Sequence, residues 1–145
     1  NRAEDAFMVK LLSTITDIGE KAESLFNKGM VILFCENAPK ELAPYCVLHR
    51  LAFMKEDTKS GDILSISGIY FKITAVGSVA NKNLKELGHS TLVFDKNTSA
   101  LLPGHIHLET LDFMPSYGEL IGIGRQIIIS DKVKRYKKSD SVLKR

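Results

Sequence analysis

The chain has 145 residues and a mass of 16.1 kDa, which is the size of a single domain. Hydrophobic residues make up 44% and charged residues 26%, a balance that excludes a disordered chain, a collagen-like fibre and a disulfide-stabilised scaffold. The net charge of +3 arises in the last fourteen residues, which carry +6, whereas residues 1–131 carry −3. We therefore expect one domain over 1–131, followed by a basic tail over 132–145 that is predicted to be mobile.

Short β-rich runs separated by turn residues dominate the chain. Apolar alternation, helical spacing and glycine or proline stops predict, in chain order, a strand over 7–18, a helix over 20–28, strands over 30–35, 45–53, 63–67 and 69–76, a helix over 79–87, and strands over 91–95, 105–109 and 121–130. Seven or eight short strands with two short helices predict the all-β class, as a compact β-barrel or a sandwich.

His49 lies in an apolar predicted strand, on the same face as Tyr45, Val47 and Leu51. This placement fits two interpretations. The imidazole is either a buried side chain satisfied by a backbone group, or a nucleophile or ligand held on a rigid strand. Imidazole suits nucleophilic chemistry because an ordinary pKa near ~6.5 leaves a neutral nitrogen available at physiological pH.

The most specific local feature is the segment 74–89, which has the pattern strand, glycine, serine, helix, glycine. Ser78 is the expected N-cap of the helix, and Gly77 allows close approach of the backbone. The free amides of Val79 and the next two residues would face the helix start, where N–H groups bind anions such as phosphate. Ordinary capping without a ligand is the alternative. His89, just after the helix, belongs either to the surface or to a site.

Other chemistry-bearing groups give weaker indications. His105 and His107 share a strand face, as metal ligands can, but no third ligand is evident, so we expect no metal. Cys46 could be a nucleophile, although no activating cation lies beside it, and with Cys35 it forms no zinc motif. The motifs of phosphate-binding loops, dinucleotide sites and hydrolase nucleophiles do not occur. Two cysteines without a disulfide framework make a reducing cytoplasm the expected location. No apolar run approaches the ~20 residues of a membrane span, so we expect no membrane insertion.

Three stretches taken together resemble the glucitol/sorbitol-specific IIA component of the bacterial phosphoenolpyruvate-dependent sugar phosphotransferase system. They are NAPKELAPYCVLH over 37–49, TAVGSVA continuing through NLKELGH and TLVFD over 74–95, and PGHIH over 103–107. The second stretch is the most diagnostic because it is long and unusual. Order and spacing agree from about Ser13 to Ser130, so the resemblance covers most of the chain.

This resemblance implies a β-barrel that acts as a phosphoryl carrier, a phosphotransferase component without a cofactor. The histidine phosphocarrier protein would donate a phosphoryl group to His49. The chain would then pass it to a cysteine of the sugar-specific IIB component, which works with its membrane component in glucitol/sorbitol uptake. We further expect His89 to act in catalysis as a hydrogen-bond donor, and Gly77, Ser78 and Val79 to bind the phosphate.

Two alternative functions stay open. The basic tail could make the chain a β-barrel nucleic-acid-binding module, although the charge of −3 over 1–131 and the lack of Trp argue against a nucleic-acid partner. The second alternative is a phosphorylation-dependent regulatory relative without a transport role. The chain departs from the family pattern in its tail and at Leu51, where the family pattern has a second histidine after the phosphoacceptor.

Overall fold

The computed structural model describes residues 8–131, so the tail predicted over 132–145, with its predicted mobility, lies outside the described residues. The described residues form eight strands, three short α-helices and one 3₁₀ turn. The strands are β1 Val9–Ile18, β2 Met30–Cys35, β3 Cys46–Met54, β4 Ile63–Ile66, β5 Ile69–Val76, β6 Ser90–Phe94, β7 His105–Leu108 and β8 Gln126–Ser130. The helices are α1 Ala22–Phe26, α2 Ala80–Leu87 and α3 Tyr117–Leu120, and the 3₁₀ turn is Ala43–Tyr45.

The strands close into one barrel in the order β1-β3-β2-β6-β7-β5-β4-β8. The neighbouring pairs β2–β3 and β6–β7 are parallel, and the remaining pairs are antiparallel. The predicted all-β class, with a barrel and short helices, is therefore confirmed. A parallel pair needs a connection that returns along the barrel, and residues 36–45 and 95–104 provide the two that this order requires.

Helix α2 covers one mouth of a filled barrel. Fully buried apolar side chains such as Phe71 and Leu92 occupy the interior. The end of β5 and the start of β6 lie at the same mouth, because β5 runs antiparallel and β6 parallel to β7. Helix α2 joins these two ends, and its Ala80 and Leu84 pack into the core. The burial of these two side chains holds α2 over the mouth.

Strand β3 is buried on both faces where it carries His49. Val47 belongs to the barrel core, as the predicted alternation requires. The outer face is also covered, by a smaller apolar cluster that contains Phe34, Cys46 and Leu48. The Cys46 thiol there donates to the Leu42 carbonyl in the 36–45 connection. This part of β3 is therefore a rigid support for whatever side chain it carries.

The end of the described chain differs from the predicted strand over 121–130. Strand β8 begins only at Gln126, because the preceding residues form a turn in which Gly124 has a φ of +87°. Helix α3, which was not predicted, precedes this turn. A capping box between Ser116 and Glu119 starts it, and the Ser-x-x-Glu spacing was a sequence signal for such a helix.

Candidate functional site

His49 lies on the inner side of β3, at the level where β2 ends. Its register partners are Cys35, the last residue of β2, and Ile15 of β1. The His49 side chain is only 1% exposed. Since a buried polar group without partners loses hydrogen-bond energy, both ring nitrogens are expected to have them.

Both nitrogens of His49 do have partners. Nε2 lies 2.7 Å from the Gly88 carbonyl oxygen, and Nδ1 lies 2.5 Å from the Ser13 hydroxyl oxygen. A carbonyl only accepts, so Nε2 carries the proton, and the lone pair of Nδ1 accepts from Ser13. Burial lowers the pKa of His49, and the hydrogen bond to Gly88 offsets this only in part. The ring is therefore a neutral imidazole in a fixed tautomer.

Gly88 fixes the end of α2 directly against this ring. It caps the helix in the left-handed conformation, with a φ of +64°. A Cβ atom at this position would lie 3.1 Å from His49 Nε2 and 3.0 Å from the Cys35 amide nitrogen. Glycine is required here for two reasons, because a larger residue would be strained and would press on the ring.

His89 lies beside this site but faces a different set of contacts. Its Nδ1 donates to the Leu33 carbonyl at 3.0 Å, and its ring stacks on Phe34 with centroids 4.6 Å apart. In the neutral ring, Nε2 therefore carries the lone pair. Within residues 8–131, no hydrogen bond joins the two imidazoles, and the backbone of Gly88 connects them. His89 and His49 thus flank the same helix end.

The start of α2 lies at the opposite end of the helix from His49. Eight helical residues span about 12 Å, and this length separates Val79 from the end that touches His49. Ser78 is not the N-cap, which corrects the predicted capping. Val79 takes that position, because its carbonyl accepts the first helical hydrogen bond from the Asn83 amide while its own amide donates to the Pro103 carbonyl. The structure does not bring Gly77, Ser78 and Val79 to His49.

Comparison with known proteins identifies the family. The family model described as the PTS system glucitol/sorbitol-specific IIA component matches residues 10–128. The chain belongs to this family. The glucitol/sorbitol-specific EIIA components of Shigella flexneri and of Escherichia coli strain K12 are each 42% identical to this IIA family member over 96 residues, which are 66% of this chain and 78% of the relative.

A solved structure supports the barrel of this IIA family member. The crystal structure of a PTS system IIA component from Enterococcus faecalis V583 is similar to it with a TM-score of 0.61 and 30% sequence identity. The similarity covers 80% of this chain and 96% of the Enterococcus chain. The family and the fold therefore agree from independent comparisons of sequence and of structure.

One of the two histidines of β7, His107, holds the loop before that strand. His107 is fully buried, its Nδ1 donates to Asp95 at 2.8 Å, and its Nε2 accepts from the Leu101 amide. Burial lowers the pKa of the neighbouring His105. Among residues 8–131, no group of three or more His, Cys, Asp or Glu side chains could hold a metal ion. No helix in this part of the chain is long and apolar enough to cross a bilayer.

Sequence reasoning missed the two groups that contact the His49 ring. Gly88 was recognised only as a helix stop, and its carbonyl carries no sequence signal. Ser13 did carry one, because it is a polar residue between Leu11 and Ile15 on the inward, apolar face of β1. A serine on the core face requires a hydrogen-bond partner, and here that partner is His49.

Proposed function

We propose that this IIA family member carries a phosphoryl group on His49 in the cytoplasm. The group comes from the histidine phosphocarrier protein and goes to a cysteine of the sugar-specific IIB component, in the uptake of glucitol or sorbitol. One observation carries the proposal: His49 lies within the residues 10–128 that match the family, and it is a neutral imidazole in a single tautomer with a fixed orientation. Phosphoryl transfer depends mainly on such positioning.

The surroundings of the ring favour Nε2 as the atom that is phosphorylated. Nδ1 faces Ser13, which is 0% exposed in the barrel wall. Nε2 faces the end of α2 at the barrel mouth, next to the half-buried residues Cys35 and His89. A donor can approach Nε2 once the Gly88 carbonyl swings away, whereas an approach to Nδ1 would require β1 to leave the barrel.

Transfer onto His49 replaces one P–N bond by another. As the contact with Gly88 opens and water enters, Nε2 releases its proton to water and Nδ1 takes one up from water. The Nε2 lone pair forms the new P–N bond while the P–N bond of the donor histidine breaks, and the donor ring keeps that electron pair. Onward transfer breaks the P–N bond on His49 and forms a P–S bond to the acceptor cysteine.

We assign His89 the supporting role in this step. Its Nδ1 is held by the Leu33 carbonyl, so protonation of the ring occurs at Nε2. The resulting Nε2–H can donate to a phosphoryl oxygen as charge builds up next to Gly88. We do not include Gly77, Ser78 and Val79 in the site, because they lie a helix length from His49 and the Val79 amide already donates to Pro103.

Labelling with ³²P tests the proposal. The chain is incubated with labelled phosphoenolpyruvate, enzyme I and the histidine phosphocarrier protein, and wild type should gain an acid-labile adduct that passes to the IIB component. His49→Ala should abolish the adduct, His89→Ala should slow its formation, and His105→Ala, a half-buried histidine on another strand, is the control that should keep it. Equal labelling of His49→Ala and wild type would refute the assignment, and loss of the adduct only in His89→Ala would make His89 the acceptor.

A further inference from the structure

We propose that Ser13 is the positioning residue of the phosphoryl-transfer site, and that it holds Nδ1 of His49 in both protonation states that the reaction uses. The inference rests on the proposed function. The two atoms are 2.5 Å apart, and both side chains are almost fully buried. Water therefore does not compete for this hydrogen bond, and the hydroxyl has a defined direction relative to the ring.

The backbone of β1 has an irregularity next to Ser13. Ser13 pairs with Leu51 of β3 and with Ile127 of β8, so it lies in the closed wall of the barrel. The register between β1 and β3 shifts between Leu12 and Ser13. Such bulges redirect a side chain and are frequent next to active sites. Here the shift accompanies the hydrogen bond between the side chains of Ser13 and His49.

The two hydrogen-bond partners of His49 differ in which protonation states of the ring they can bind. The Gly88 carbonyl can only accept, so it stabilises the tautomer with the proton on Nε2. The Ser13 hydroxyl can donate to the lone pair of Nδ1 and can also accept from Nδ1–H after rotation about its C–O bond. Phosphorylation of Nε2 removes the first partner and puts a proton on Nδ1. Ser13 alone therefore holds the ring in both states.

This role predicts how phosphoryl transfer responds to a change at position 13. Without the hydroxyl, Nδ1–H of the phosphorylated ring is buried without an acceptor, and the ring loses its fixed orientation when Gly88 moves away. Transfer onto Ser13→Ala should be roughly fivefold slower or more, the change that corresponds to one net hydrogen bond. Ser13→Thr keeps the hydroxyl and should restore most of the rate.

The test measures ³²P transfer from the histidine phosphocarrier protein, with ¹⁵N NMR of the His49 ring on the same full-length samples. Ser65→Ala is the matched control, because Ser65 is also buried but lies on β4, which is not adjacent to β1 or β3. We expect Ser13→Ala alone to lose rate and to move the Nδ1 resonance downfield, as a lone pair without a donor does. Where Ser13→Ala does not fold, Ser13→Cys replaces it, since a thiol keeps the size but is a weak partner.

The outcomes separate the two proposals. If folded Ser13→Ala or Ser13→Cys accepts the phosphoryl group at the same rate as wild type, the role of Ser13 is overturned. The carrier function is then left intact. A slow Ser13→Thr would also overturn it, because the hydroxyl would then not be the group that matters. No transfer onto wild type would overturn the carrier function itself, and the role of Ser13 with it.

Discussion

Gly88→Ala is the substitution that probes the contact between α2 and His49 most directly. The new methyl group would lie 3.1 Å from His49 Nε2 and 3.0 Å from the Cys35 amide nitrogen, so the ring or the helix end must shift. The residue would also have to keep a φ of +64°, which alanine disfavours. Both effects lower the free energy of unfolding.

A second glycine separates the two contributions. Gly68 in the β4–β5 turn has a φ of +75°, and a Cβ atom there would meet nothing within 4 Å. Gly68→Ala therefore measures the backbone strain alone, about 1–2 kcal/mol. Gly88→Ala adds the cost of inserting a methyl group into a filled site, about 1–3 kcal/mol. The difference between the two variants is the energy of the contact with His49 and Cys35.

Urea unfolding of both variants, followed by circular dichroism, measures this difference. Gly88→Ala should unfold at a clearly lower urea concentration than Gly68→Ala. NMR provides a second readout, because the Nε2–H signal of His49 should persist in Gly68→Ala and shift in Gly88→Ala. Equal midpoints, with an unchanged Nε2–H signal, would show that the helix end does not press on the ring, and the proposed opening at Gly88 would lose its basis.

Two further predictions concern stability. Lys10 and Asp62 form a buried ion pair at 2.9 Å, so Asp62→Ala should lower the free energy of unfolding by about 3–5 kcal/mol. The double variant with Lys10→Met and Asp62→Leu should recover most of this loss. A loss below about 1 kcal/mol for Asp62→Ala in a urea titration would contradict the prediction. Burial lowers the pKa of His49, so below about pH 6.5 the unfolded chain binds a proton that the folded chain does not. The stability of the fold is therefore retained above about pH 6.5 and is lost as the pH falls below it. Wild type should therefore lose more stability than His49→Gln between about pH 7 and pH 5.5, and equal losses in paired unfolding curves would argue against a buried neutral ring.

The elements of the barrel could be predicted because their signals are local. Runs such as 30–35 and 69–76 are apolar or alternating and end at glycine or polar turn residues, so their strand character needs no distant partner. The order around the barrel could not be predicted in the same way. The parallel pairing of β2 with β3 depends on the connection 36–45 passing back along the outer face, and nothing within either strand specifies it.

The site shows the same division between local and distant signals. His49 and His89 are conspicuous in the sequence, as polar rings in or beside apolar strands. The partners of His49 could not be assigned to it, because Ser13 and Gly88 are 36 and 39 residues from it in the sequence. The helix start shows a related limit: a serine before a helix is a common cap, but the carbonyls of Pro103 and His105, next to β5 at the start of β7, accept from the amides of Val79 and Gly77.

The attachment of α2 indicates which of its ends can open. Near the start of the helix, the side chain of Asn81 donates to and accepts from the backbone of Thr58, at 3.0 and 2.8 Å, which ties α2 to the neighbouring loop. At the other end, the Gly88 carbonyl is held by His49 and the following residue, His89, by its bond to β2. Breaking the bond to His49 therefore frees Nε2 while Asn81 keeps the helix on the barrel. The hydrogen bond that holds the ring in one tautomer at rest is thus the one whose opening would begin the proposed phosphoryl transfer.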